Sequence, residues 1–224
     1  MSIEWILLIV IGIVGLIVQG KLQSVFSKYS KVPMAGGLTG REVAEKMLRE
    51  NGVYNVQVIS TRGHLTDHYN PANKTINLSE SVYNSTSVAA AAVAAHETGH
   101  ALQDACEYAP LRLRSALVPV ISFSSQWAFI VILFGLFLIN TMPAVFWLGI
   151  AMIAISAVFS LVTFPVEFDA TARAMPWLQS VGTLNVHAPA QPGAACQCVS
   201  TSSCVDVSPA IATLLYYIGI ARRE

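Results

Sequence analysis

Ser87-Val88-Ala89-Ala90-Ala91-Ala92-Val93-Ala94-Ala95-His96-Glu97-Thr98-Gly99-His100-Ala101-Leu102-Gln103 is the stretch on which the fold turns. Ser85-Thr86-Ser87 offers caps for a helix running from Val88 to about Glu107, and its run of alanines suits a helix buried nearly all round. His96-Glu97-Thr98-Gly99-His100 reads H-E-x-x-H. Residues four apart share one helical face, so both imidazoles can converge on one metal ion. Zinc suits imidazole nitrogen, and a catalytic zinc leaves a position open for water. Glu97, beside the first histidine, is placed to take that water's proton, because the metal brings the water's pKa down to about 7. With 5 His and the Glu content of this chain, chance produces the motif only about 0.004 times, and burying these polar groups without a function is costly. Gly99 costs a helix about 1 kcal/mol against alanine. Its missing side chain lets another element approach beside the metal.

Outward from this helix the chain turns apolar. Leu117–Ile139 and Ala144–Phe164 are each long enough to span a bilayer, and Asn140-Thr141-Met142-Pro143 joins them as a transmembrane hairpin. Neither arm holds a charged residue, which argues against an ion path and hence a transporter. The opening run Ile3 to Val18 lacks a basic leader and a small-residue cleavage site, and reads as a retained anchor. Composition agrees: 54% hydrophobic and 12% charged, against about 25% charged in an ordinary soluble domain, with mean hydropathy +0.57. Net charge is zero and no basic stripe with interleaved aromatics occurs, so a nucleic-acid partner has no support. Lys21, Lys28, Lys31, Arg112, Arg114 and Arg173 flank the central segment, which the positive-inside tendency puts on the cytoplasmic side, with the N-terminus outside. The last apolar run, Ile211 to Ile220, is short for a span.

Between anchor and motif, Pro33 to Gly40 reads as a linker and Thr39-x-x-Glu42 as a capping box. Val43, Ala44, Met47 and Leu48 then recur at helical spacing up to Asn51-Gly52. Val53 to Leu78 alternates in short runs punctuated by Gly63 and Asn70-Pro71-Ala72-Asn73, which predicts two or three short antiparallel strands. If Gly63 to Tyr69 is a strand, His64, Thr66 and His68 share one face and Asp67 and Tyr69 the other. His68 and Tyr69 are candidates for substrate or oxyanion contacts, and a strand edge beside a zinc can hold an extended peptide by main-chain bonds.

Two histidines need a third protein ligand, and the candidates are His64, His68, His187 and carboxylates outside the motif. Glu167 stands out, in Phe164-Pro165-Val166-Glu167-Phe168-Asp169: the hairpin returns the chain to the side it left near Arg114. Asp169 and Arg173 can orient a ligand from behind. Cys106, Cys196, Cys198 and Cys204 read as unpaired thiols, a lone C-x-C being a weak metal signal.

Three segments, Gly63–Tyr69, Val93–Gln103 and Pro165–Ala170, together resemble the bacterial membrane family of neutral zinc metallopeptidases (YugP-like proteins), over roughly residues 1–184. The resemblance implies a membrane metallopeptidase with zinc on His96 and His100. A more distant likeness to HtpX and CAAX-type zinc peptidases, whose third ligand is a glutamate just after a transmembrane segment, supports Glu167. Asn185 to Pro209, rich in Pro, Ser and Cys, departs from the family, which continues there with an Ala-rich helical segment. A local frame shift is one reading, a divergent loop the other.

The expected architecture is a mainly α membrane protein. A zincin-like α+β catalytic segment carries a small antiparallel sheet and the H-E-x-x-H helix, with three or four transmembrane helices. Its parts are an anchor (1–20), the catalytic segment (21–115), the hairpin (116–165), a third-ligand helix (166–184) and a C-terminal stretch (185–224). The expected activity is zinc-dependent peptide hydrolysis on peptides or membrane proteins, in the lipid bilayer of a bacterial inner (plasma) membrane with the active site facing the cytoplasm. The rival is a non-catalytic zinc-binding membrane scaffold or chaperone, against which intact Glu97 argues.

Overall fold

The computed structural model describes residues 3–34, 36–63, 66–181, 213 and 217. His64, His187, Cys196, Cys198, Cys204, the stretch Asn185 to Pro209 and most of Ile211 to Ile220 therefore lie outside the described residues. The elements in chain order are α1 (Ile3–Tyr29), α2 (Gly40–Glu50), β1 (Gln57–Thr61), β2 (His68–Asn70), β3 (Thr75–Ser79), α3 (Glu80–Tyr83), α4 (Val88–Ala105), α5 (Ala109–Phe137) and α6 (Pro143–Ser180). The chain divides into two compact units, one comprising Met1–Val18, Leu113–Pro165 and Ser203–Glu224, the other Gln19–Arg112 and Val166–Ser202.

Within the first unit, α5 and the first half of α6 form the expected hairpin. Among the described residues, α5 and α6 are the two helices long and apolar enough to cross a membrane. They pack closely because glycine allows it. A Cβ on Gly135 would stand 2.6 Å from the Phe146 Cα, and one on Gly149 2.4 Å from the Ile132 side chain. Small residues at such crossings let backbones approach where no hydrophobic force drives helices together. Ile132, Phe146 and Ile150 are buried, while Phe129, Phe134, Phe137, Trp147 and Leu148 are exposed, as lipid-facing residues are.

The second unit is α+β. Thr39 and Glu42 complete the capping box of α2, whose Val43, Ala44, Met47 and Leu48 are buried as their spacing predicts. Gly52, at φ +73°, follows the helix in the left-handed conformation that commonly ends one. Ser87 caps α4 by accepting the Ala90 N–H at 3.2 Å, and every residue from Val88 to Gln103 is buried. α2, α3 and the sheet pack on α4, so the alanines place a narrow helix in the middle of the unit.

Three expectations need correction. The sheet is mixed, not antiparallel: its order is β1-β3-β2, with β1 parallel to β3 and β2 antiparallel to it. Residues 62–74 supply the crossover of about a dozen residues that a parallel pair needs, and β2 is part of that crossover. β3 is buried throughout, because a central strand covered on both faces need not alternate. Second, β2 starts at His68, so Thr66 and Asp67 are not in a strand; Asp67 instead accepts the Ser79 N–H at 2.7 Å and its hydroxyl at 3.1 Å.

Third, two helices run on past their expected ends. α1 continues to Tyr29, because Val25, Phe26 and Tyr29 form an apolar stripe that packs on the core of this unit. α6 runs unbroken through Pro165. A proline inside a helix costs about 3 kcal/mol, but burial of Val166, Ala170, Ala174 and Leu178, spaced four apart, offsets it.

Candidate metal centre

His96 and His100 sit one turn apart on α4, with ring centroids 4.9 Å apart, and Glu167 reaches them from α6. The Glu167 Oε2 lies 3.1 Å from the His96 Nε2 and 3.7 Å from the His100 Nε2. One ligand atom from each of the three residues lies within 4.8 Å of the others, and all three side chains are buried. Both helices can come this close because position 99 is glycine: a Cβ there would meet the Ala170 carbonyl oxygen at 2.4 Å. The reading of Gly99 as a point of close approach thus holds, and the element that approaches carries the carboxylate.

The outer nitrogens are also held. His96 Nδ1 lies 3.2 Å from the Thr171 hydroxyl, and His100 Nδ1 3.0 Å from Gln103 Oε1. Partners on both Nδ1 atoms turn both Nε2 atoms to the same point, which is how metal-binding imidazoles are commonly oriented. Burial alone would keep His100 neutral. The hydrogen bond to Glu167 and the charges of Glu97 and Glu167 override that and hold its pKa above the ordinary value. The cavity therefore favours positive charge where the three ligand atoms meet, as a dication supplies. Two imidazoles and a carboxylate are a donor set that zinc accepts with a position left open. The residues present fit the metal.

Glu97 is buried on the same helix, and its Oε2 accepts the Tyr69 main-chain N–H at 2.9 Å. Because β2 is an edge strand, this N–H points away from β3 and towards α4. The Tyr69 hydroxyl donates to Asp104, which also pairs with Lys74. Burial, and then the Asp104 hydrogen bond, hold the phenol well above its ordinary pKa, so it remains a donor. Asp169 accepts from Gln103 Nε2 at 2.8 Å and from Arg173 Nε at 2.6 Å. It thus reaches His100 through Gln103. His68 is exposed, its Nδ1 bonds the Thr66 carbonyl at 2.8 Å, and it is not among the three residues whose ligand atoms converge.

Sequence reasoning passed over Gln103, Thr171 and Asp104. Helical spacing was a usable signal for each: Gln103 is three and Asp104 four residues beyond His100, and Thr171 is four beyond Glu167. A glutamine in an otherwise alanine-rich buried face needs partners.

Comparison with known proteins agrees with zinc as the metal. The family described as "Putative neutral zinc metallopeptidase" matches residues 4–222. The chain is 43% identical over 164 residues to "Putative membrane protease YugP" of Bacillus subtilis (strain 168), covering 73% of this chain and 72% of that protein. No solved structure matches.

Proposed function

Because the chain belongs to the neutral zinc metallopeptidase family, we propose that it is a membrane-embedded zinc peptidase that hydrolyses peptide bonds with a water molecule. The observation that carries this reading is the convergence of His96, His100 and Glu167 with Glu97 on the adjoining helical position. His96, His100 and Glu167 would hold the ion. When bound, zinc supplies Lewis-acid chemistry that acidifies water and polarises a carbonyl. Glu97 takes the proton of the attacking water and later delivers it to the leaving amine. The Tyr69 N–H holds the Glu97 carboxylate in place. Asp169 and Arg173 support the ligands from behind through Gln103.

The distribution of Lys and Arg favours a site on the cytoplasmic side, so the substrates are peptides or membrane-protein segments presented at that face. The apolar N-terminal run, Ile3 to Val18, supports one further span beside the hairpin.

Metal content and cleavage of casein or a membrane-protein substrate, measured on the purified protein and on Glu97→Gln, test this. We expect equal zinc in both and cleavage reduced about 10²–10⁴-fold in the variant, the usual worth of a general base. Equal activity in both, or none in either at full zinc, would support the scaffold reading instead.

A further inference from the structure

Gln103 is fully buried, and all of its hydrogen-bonding groups are engaged. Two acceptors, the Val166 carbonyl at 2.7 Å and the Asp169 carboxylate at 2.8 Å, face one atom of its amide. That atom must therefore be the NH2 nitrogen, since an amide oxygen there would face two other acceptors. The oxygen is then the atom turned to His100 Nδ1 at 3.0 Å. An amide oxygen only accepts, so His100 carries its proton on Nδ1 and presents a bare Nε2 to the ion. The same amide grips the carbonyl of Val166, the residue immediately before Glu167. Asp169, behind it, is itself held by Arg173 at 2.6 Å, and the Arg173 guanidinium lies over the Tyr108 ring at 5.9 Å.

We propose that Gln103 is the positioning residue of the metal centre: one amide selects the ligating tautomer of His100 on α4 and fixes the Glu167-bearing turn of α6 against it, with Asp169 and Arg173 locking that amide's orientation. The inference rests on the reading of His96, His100 and Glu167 as zinc ligands. It assigns to Asp169 and Arg173 an action through Gln103 in place of direct contact with a ligand. Arg173–Asp169–Gln103–His100 then forms one chain of hydrogen bonds linking the two helices.

The test uses the full chain in detergent, stripped of metal and titrated with zinc against a competing chelator. Cobalt(II) loading, read by visible absorption, reports ligand geometry. Melting of the metal-free protein separates a folding defect from a metal defect. Three variants are compared with the parent: Gln103→Met, Gln103→Glu and Asp169→Leu. Methionine fills the space without either function, and zinc affinity is expected to fall about 10–100-fold with an altered cobalt spectrum. Glutamate still accepts from His100, but it faces the Asp169 carboxylate and cannot donate to Val166, so affinity falls as well. The Asp169→Leu change leaves Gln103 in place but removes the acceptor that fixes its amide, so zinc affinity is expected to fall and the cobalt spectrum to change with His96, His100 and Glu167 all intact.

Parent-like zinc affinity and cobalt spectrum in Gln103→Met would overturn the proposal, even if the metal-free melting falls. So would parent-like zinc affinity and cobalt spectrum in Asp169→Leu, a comparison that decides the matter if Gln103→Met does not fold. If the parent itself binds no zinc, the ligand reading falls and this inference with it. If the parent binds zinc and the variants bind it equally, only the role of Gln103 is lost.

Discussion

A single missing methyl group sets how near α6 comes to α4. A Cβ at position 99 would meet a backbone carbonyl, which cannot rotate away as a side chain would. In Gly99→Ala, α6 must therefore shift and take Glu167 with it. Overpacking typically costs about 1–3 kcal/mol, and alanine regains at most about 1 kcal/mol in helix propensity. The variant is expected to melt below the parent and to bind zinc more weakly; a parent-like zinc titration would show that the contact at Ala170 does not govern the site. The motif was legible at this scale because chemistry and spacing coincide in five consecutive residues. The partners of its outer nitrogens were not, since Thr171 lies 75 residues from His96 in the chain.

At the scale of elements, local rules predicted helices better than strands. α2 follows from its capping box and its apolar stripe, both contained in a dozen residues. Thr39→Ala removes the side chain that accepts the Glu42 N–H and is expected to cost about 1 kcal/mol of stability, read as a lower melting temperature. Zinc affinity should hardly change, because α2 packs against α4 without supplying a ligand. The sheet was misread because strand direction depends on partners outside the local pattern. β1 lies beside β3 only once β2 has been threaded past, and no residue in β1 records that order. The continuation of α6 through Pro165 has the same origin: a local breaker is overruled by four buried residues on the far side.

For the whole molecule, the two helices that build the site meet within the second unit through the ligand cluster, Gln103 and the contact at Gly99. A metal that binds only the folded arrangement stabilises it by mass action, about 2.7 kcal/mol at a free concentration a hundred times its dissociation constant. Chelation is therefore expected to lower the melting temperature of the parent and to leave that of the His96→Ala/His100→Ala variant unchanged. An equal response of both proteins to chelator would mean that the stabilising ion sits elsewhere.

By itself the sequence determined the helix that carries the chemistry, the hairpin that follows it and the type of metal the histidines suit. Each of these depends on residue type and spacing within one continuous segment. Only the tertiary structure decided that Glu167 meets both imidazoles, that Gln103 joins their two helices and that a main-chain N–H of β2 holds Glu97. Those contacts join segments far apart in the chain. What brings them together is the burial of whole helix faces, which no short motif encodes.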